Sequence, residues 1–156
     1  MSLTIILPIY NEKESLPIMI RLLNSTLKIE HEIIAIYEDD KDNAKSIGQE
    51  LMKEIEEFKI IKNKYERGVR FSIQTGIDFA KYDTIFITAV DEIFPIVSIE
   101  AMYKEIFVRN FDFVSGTRYS KGGARLGGSI IGSFLSRLSN FIFNKLTKSQ
   151  LTDFTT

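Results

Sequence analysis

Cysteine is absent from the 156 residues, and histidine occurs once, at His31. Disulfides, cysteine-ligated zinc and thiol catalysis are therefore excluded, as is a metal centre built from histidines. Charge of one sign is also missing: 20 basic residues face 21 acidic ones, which excludes a strongly basic nucleic-acid binder. No apolar run approaches the roughly 20 residues that a membrane-spanning helix needs. The opening Met1-Ser2-Leu3-Thr4 has no basic flank before its apolar residues, so it does not read as a signal peptide. Repeats, low-complexity tracts, a Gly-x-Gly-x-x-Gly turn and a Walker loop are absent too, which argues against dinucleotide and ATP phosphate loops. What is present is 44% hydrophobic, enough to exclude a disordered chain. The length suits one domain, 1–156, and the expectation is a soluble protein of a reducing, cytoplasmic compartment.

The near-neutral total hides an asymmetry. Residues 111–156 carry six basic and two acidic side chains, so an acidic body precedes a basic C-terminal stretch. Such a division suggests an anionic partner near that end, although chance placement of a few lysines gives the same count.

Apolar runs alternate with helical periodicity along the chain. Thr4–Pro8, Glu32–Tyr37, Phe58–Ile61, Thr84–Thr88 and Phe111–Gly116 read as strands, the fourth buried on both faces. Helices are expected from Ser15, as a cap with Pro17 in the first turn, over about 43–58, and from Gly68 to about Lys81. Two more run from Pro95 to about Arg109 and over about 130–147. Strand–helix alternation predicts a mostly parallel, Rossmann-like sheet in a three-layer α/β/α sandwich. Ligands of such sheets sit at the carboxyl ends of the strands.

Those ends hold Pro8, Tyr10 and Glu12 after the first strand, Glu38, Asp39 and Asp40 after the second, and Asp91 and Glu92 after the fourth. Arg118, Tyr119 and Lys121 follow the fifth, ahead of Gly122 and Gly123. A diphosphate with one divalent cation would use this set: Asp91 as metal ligand, Arg118 and Lys121 on phosphate oxygens. The bland alternative is that carboxylates at loop starts cap helices, and for Asp39, Asp40 and Asp42 that alternative is the stronger.

Ile6-Leu7-Pro8-Ile9-Tyr10-Asn11-Glu12 resembles the opening of family 2 glycosyltransferases of the GT-A fold. Glu32–Glu38 resembles the strand ending in that family's paired aspartates. Gly68, Gly76 and Ala80 match the helix before its metal motif, and Asp91 with Pro95 matches the last aspartate of its D-x-D motif. Val114–Gly123, Leu135-Ser136-Arg137 with Asn140, and Asp153–Thr156 are similar to segments of the dolichol-phosphate mannosyltransferase-like branch.

The resemblance implies a nucleotide pocket at Pro8, Tyr10 and Glu12, with Glu38 reaching the base. It implies Mg2+ or Mn2+ on Asp91, and Arg118 and Lys121 neutralising phosphates. The implied reaction is inverting sugar transfer from a nucleotide-sugar, GDP-mannose or a UDP-hexose, to a polyprenyl phosphate. Departures from the pattern are explicit: Ala89 replaces the first D-x-D aspartate, Tyr37 and Glu38 replace the aspartate pair, and Gly132 stands where the branch places an arginine. The family also continues beyond Thr156, so the domain is expected to be incomplete at its C-terminus. A non-catalytic nucleotide-binding or interaction module of the same fold is the alternative reading. The apolar 130–147 helix with Arg137, Lys145 and Lys148 reads mainly as core, with a peripheral membrane role or homodimerisation as lesser readings. His31 reads as a solvated surface residue.

Overall fold

A computed structural model of the chain describes residues 2–92, 94–119, 129–148, 151 and 153–154. They cluster into two compact units, Met1–Ala101 and Met102–Thr156.

The first unit is built on β1 (Ser2–Ile9), α1 (Ser15–Thr26), β2 (Glu30–Tyr37), α2 (Ala44–Glu54), β3 (Phe58–Lys62), α3 (Val69–Phe79) and β4 (Ile85–Ile87). All pairings are parallel, in the order β3-β2-β1-β4. β1 and β2 are runs of Ile and Leu with no solvent-facing side, because helices cover both faces. Pairing of Ile6 with Ile34, and of Ile36 with Ile61, puts these side chains on one face. There they form a core cluster with Ile85, and α3 packs on it through Gly76. A Cβ at Gly76 would stand 2.6 Å from the Ile6 side chain, so the glycine is what lets helix and sheet approach. Ile60, one residue out of phase with Ile61, meets Gly48 of α2 on the opposite face. α1 packs beside α2 and buries Leu16, Met19, Ile20 and Leu23. The three-layer parallel architecture expected from the alternation is the one found.

The N-terminal ends of the strands are clamped by a buried carboxylate. Glu32 accepts from the Thr4 hydroxyl at 2.8 Å, the Lys59 ammonium at 3.0 Å and the Lys81 backbone N–H, and is 4% exposed. Burial alone would raise its pKa. The Lys81 N–H, the Lys59 ammonium and the Thr4 hydroxyl outweigh that and hold it below the ordinary value.

Several local expectations change. α1 begins at Ser15 itself, after Glu14, with no side-chain cap bond; the Leu16 N–H donates to the Glu12 carbonyl instead. β4 is three residues long and Ile87 is exposed, because β4 pairs only with β1 among the described residues. The segment 111–116 forms no strand, and Phe111 and Phe113 are exposed. His31 is half-buried rather than solvated: Nδ1 lies 2.8 Å from the Ile29 carbonyl and Nε2 is shielded.

A 3-10 turn, Phe94–Ser98, leads into α4 (Ile99–Arg109), which runs across the division between the units. The second unit also holds α5 (Ile130–Thr147), capped by the Ser129 hydroxyl accepting from the Gly132 N–H at 3.0 Å. The reading of α5 as mainly core is reversed, because its polar stripe makes the internal bonds. Ser136 meets the Tyr119 hydroxyl and Asn140 is buried, whereas Ile131, Phe134, Leu135, Phe141 and Leu146 are exposed. No described helix is long and apolar enough to cross a membrane.

Candidate functional site

The strand order itself locates a crevice. The first two crossovers build outward from β1 through β2 to β3, and the third carries the chain back to β4 on the other side of β1. The order therefore reverses between β1 and β4, and the carboxyl ends of that pair are where a parallel α/β sheet binds ligands. Tyr10 and Glu12 follow β1, Glu38 follows β2, and Asp91 lies in the turn after β4. Pro8 is half-buried in β1, opposite Ile36. Tyr10 and Asp91 are exposed and Glu12 is half-buried.

Three strand-end loops are sewn together by side chain to backbone bonds. Asn11 adopts a left-handed conformation, φ 60°, and its N–H donates to the Asp42 carboxylate at 3.2 Å. Lys13 N–H donates to the Asn43 side chain at 3.1 Å, while Asn43 N–H returns a 3.4 Å bond to the Asn11 side chain. Asp42 also accepts from Ala44 N–H at 2.9 Å, ahead of α2, so the capping role expected of it is real and is combined with a second one. Glu38 accepts from Gly68 N–H at 3.1 Å and from the Ser72 hydroxyl at 2.9 Å, tying the β2 end to α3. The Asn63 amide donates to the other Glu38 oxygen at 3.3 Å and to the Glu66 carbonyl at 2.8 Å.

Arg67 is the residue that sequence reasoning missed. Its guanidinium lies 6.0 Å from the centre of the Tyr10 ring and 3.7 Å from an Asp39 oxygen. The available signal was a basic residue directly before Gly68, in a loop leaving a strand's carboxyl end. Asp40 turns away to Lys45, at 2.7 Å, and to Lys62. These two ammonium groups, Lys45 first, hold its pKa at about 2. It therefore serves as a surface ion pair, not as the helix cap that the bland reading expected.

Among the described residues no group of three His, Cys, Asp or Glu side chains forms a metal site. Asp91, exposed and with Ala89 two residues before it, would offer a metal ion a single carboxylate. That donor set fits a divalent cation which takes most of its oxygens from a substrate diphosphate and water, and does not fit a resident metal. A depression of about 550 Å3 lined by Tyr37, Gln49, Met52, Lys53 and Ile60 lies between α2 and the outer strand β3. It has no carboxylate and stands two strands from the β1–β4 crevice.

In the second unit Arg118 is committed to a partner. Its Nε and Nη2 donate to the two oxygens of Asp153 at 2.7 and 2.8 Å, and its backbone N–H donates at 3.2 Å. The Asp153 side chain is fully buried and also accepts from Asn140 at 3.3 Å. A phosphate meeting Arg118 would compete with this carboxylate. The Arg118 and Arg137 guanidinium groups each lie 5.3 Å from the centre of the Tyr119 ring. Lys121 lies outside the described residues.

The family model described as "Glycosyl transferase family 2" matches residues 4–155. A dolichol-phosphate mannosyltransferase from Pyrococcus furiosus is 27% identical over 124 residues, covering 79% of this chain and 35% of that protein. The chain thus spans about a third of the length of that relative. The mannosyltransferase PcManGT from Pyrobaculum calidifontis, in complex with GDP-Man and Mn2+, superposes with a TM-score of 0.51 at 17% identity, covering 57% of this chain and 27% of that one. S. aureus TarS, residues 1–349, superposes with a TM-score of 0.55 at 12% identity, covering 77% and 40%. At these identities the two structures establish the fold.

Proposed function

The chain belongs to glycosyl transferase family 2, and from that premise we propose that it binds a nucleotide-sugar donor at the β1–β4 crevice and serves inverting transfer of the sugar to a polyprenyl phosphate. One observation carries the reading: the loops after β1, β2 and β3 are tied together around an exposed tyrosine, on the β1 side of the point where the strand order reverses. In this reading Pro8, Tyr10, Glu12 and Glu38 form the nucleoside side of the cradle, and Arg67 joins them. The Tyr10 ring offers a stacking surface for the base, with the Arg67 guanidinium beside it. A nucleotide-sugar donor, GDP-mannose or a UDP-hexose in this proposal, is in keeping with the similarity to a mannosyltransferase that holds GDP-Man and Mn2+.

Asp91 would hold Mg2+ or Mn2+, and the chemistry such an ion would supply is positive charge for the diphosphate leaving group. The protein's own task is alignment. A phosphate monoester with a second pKa near about 6 arrives as an anion, so no strong base is required. Its oxygen bonds to the anomeric carbon on the face opposite the diphosphate, whose C–O bond breaks. Arg118 and Lys121 are the proposed phosphate contacts, and Arg118 must then share its guanidinium with Asp153. An acceptor at a membrane surface is supported by α5, whose outward apolar stripe and lack of acidic residues suit peripheral attachment to anionic lipid.

Isothermal calorimetry with GDP-mannose, UDP-glucose and the parent diphosphates, with and without Mn2+, tests donor binding. Transfer of radiolabelled sugar to a short-chain polyprenyl phosphate tests turnover. Donor binding without transfer selects the non-catalytic module of the same fold. No binding at millimolar donor overturns the reading.

A further inference from the structure

We infer that Glu38 is a positioning residue, not a reader of the nucleotide base: its carboxylate latches the β3–α3 loop and thereby carries Arg67 to Tyr10. The inference rests on the donor-cradle reading and deepens it by assigning the base-side contact to Arg67 and Tyr10.

Both carboxylate oxygens of Glu38 are engaged by the same stretch of chain. Oε1 accepts from Gly68 N–H at 3.1 Å and from the Ser72 hydroxyl at 2.9 Å, and Oε2 accepts from the Asn63 amide at 3.3 Å. Asn63 stands at the start of the loop joining β3 to α3, Gly68 at its end and Ser72 just beyond. A carboxylate at the first turn of α3 is also favoured by the helix dipole. Asn63 organises the interior of the loop. Its amide nitrogen holds the Glu66 carbonyl at 2.8 Å, and its oxygen accepts from Tyr65 N–H at 3.1 Å and the Thr75 hydroxyl at 2.9 Å.

Gly68 has φ 127°, a backbone conformation that side-chain-bearing residues rarely adopt. Arg67 is joined directly to it, so fixing the Gly68 N–H on Glu38 fixes where the Arg67 side chain starts. Arg67 itself is exposed, and among the described residues its guanidinium has the Tyr10 ring at 6.0 Å and Asp39 at 3.7 Å beside it. Such loose contacts hold a long side chain weakly against solvent. Its placement over Tyr10 therefore depends on the backbone beneath it, and that backbone is held by Glu38.

The test compares wild type with Glu38→Gln, Asn63→Asp and the double variant. Affinities for GDP and for UDP are measured with Mn2+, together with hydrogen exchange of the Gly68 amide. Glu38→Gln sets its amide against the Asn63 amide, donor to donor, and Asn63→Asp sets carboxylate against carboxylate. In the double variant the amide introduced by Glu38→Gln again faces an acceptor, so the contact between positions 38 and 63 is restored with the donor reversed, while the bond from position 63 to the Glu66 carbonyl stays lost. A latch predicts that each single change lowers both affinities by a similar factor, on the order of tenfold for one lost charged hydrogen bond. Gly68 exchange quickens in parallel, and the double variant recovers part of both relative to Asn63→Asp alone, the lost bond to the Glu66 carbonyl setting the remainder. Ser72→Ala, which removes only the hydroxyl contact, should quicken Gly68 exchange to a smaller extent and keeps the test open if a polar swap fails to fold. Loss confined to one of the two bases, with Gly68 exchange unchanged, overturns the inference in favour of base reading. If wild type binds neither diphosphate at millimolar concentration, the donor-cradle reading fails. The exchange arm then decides the latch alone, and unchanged Gly68 exchange in Glu38→Gln overturns it.

Discussion

Replacing Arg118 by alanine isolates the structural part of its role from any contact with phosphate. The mutation removes two donors from Asp153, at 2.7 and 2.8 Å, and the fully buried carboxylate keeps the Arg118 backbone N–H and the Asn140 amide among its partners. Stranding a buried charge costs about 3–5 kcal/mol. Because the Arg118 side chain is 25% exposed, water recovers part of that, and about 2–4 kcal/mol is expected. Neutralising the Asp153 carboxylate should give much of it back. Arg118→Ala with Asp153→Asn is expected to cost about 1–2 kcal/mol, roughly 1–2 kcal/mol less than Arg118→Ala alone, and the coupling between the two sites exceeds that difference by the cost of Asp153→Asn on its own. Urea unfolding followed by far-UV circular dichroism gives the four corners of the cycle. Exchange of the Phe154 amide, which donates to the Asn140 side chain at 2.7 Å, reports the local effect. A cost below about 0.5 kcal/mol for Arg118→Ala, with Phe154 exchange unchanged, would refute the reasoning and free Arg118 for phosphate alone.

Glu32 links stability to acid. Its folded pKa lies below the ordinary value of 4.5, so its contribution is complete above that value and is lost as pH falls through the lowered one. Glu32→Gln should therefore lower the urea midpoint at pH 7 and flatten the acid limb below pH 4.5. Gly76→Ala brings a methyl to 2.6 Å from Ile6 and 3.1 Å from Ile36, so overpacking of about 1–3 kcal/mol outweighs the gain in helix propensity of about 1 kcal/mol. A lower thermal midpoint checks it. Asp40, held at about 2 by Lys45 and Lys62 on the surface, should titrate closer to its ordinary 3.8 in high salt, read by carboxyl NMR. Ala89→Asp adds a second carboxylate near Asp91 and should tighten Mn2+-dependent diphosphate binding in calorimetry, with nucleoside binding unchanged.

The sheet was legible because β1 and β2 are nearly uninterrupted apolar runs, and burial on both faces leaves little else for such runs to be. Phe111–Gly116 carries a weaker version of that signal and forms no strand, since propensity without a partner to pair with does not make a ladder. α5 misled for a related reason. Its periodicity shows an apolar stripe but not which way it faces, and Tyr119, Asn140 and Asp153 turn the polar stripe inward. Around the site, strand-end positions of Tyr10, Glu12, Glu38 and Asp91 followed from element order alone. What those side chains touch did not follow. The Glu38 contacts span 25 to 34 residues of sequence, and Arg67 meets Tyr10 from a loop 57 positions away.

The central claim, that a nucleoside diphosphate occupies the β1–β4 crevice, is tested most directly by titrating labelled protein with GDP and with UDP in the presence of Mg2+. Amide chemical shifts locate the contact without any assumption about sugar or acceptor. Shifts concentrated at Tyr10–Glu12, Glu38–Asp39, Arg67–Gly68 and Thr88–Asp91, saturating at or below about millimolar ligand, are the result expected. Shifts that leave these four strand ends unmoved, or no saturable change at all, would contradict the account.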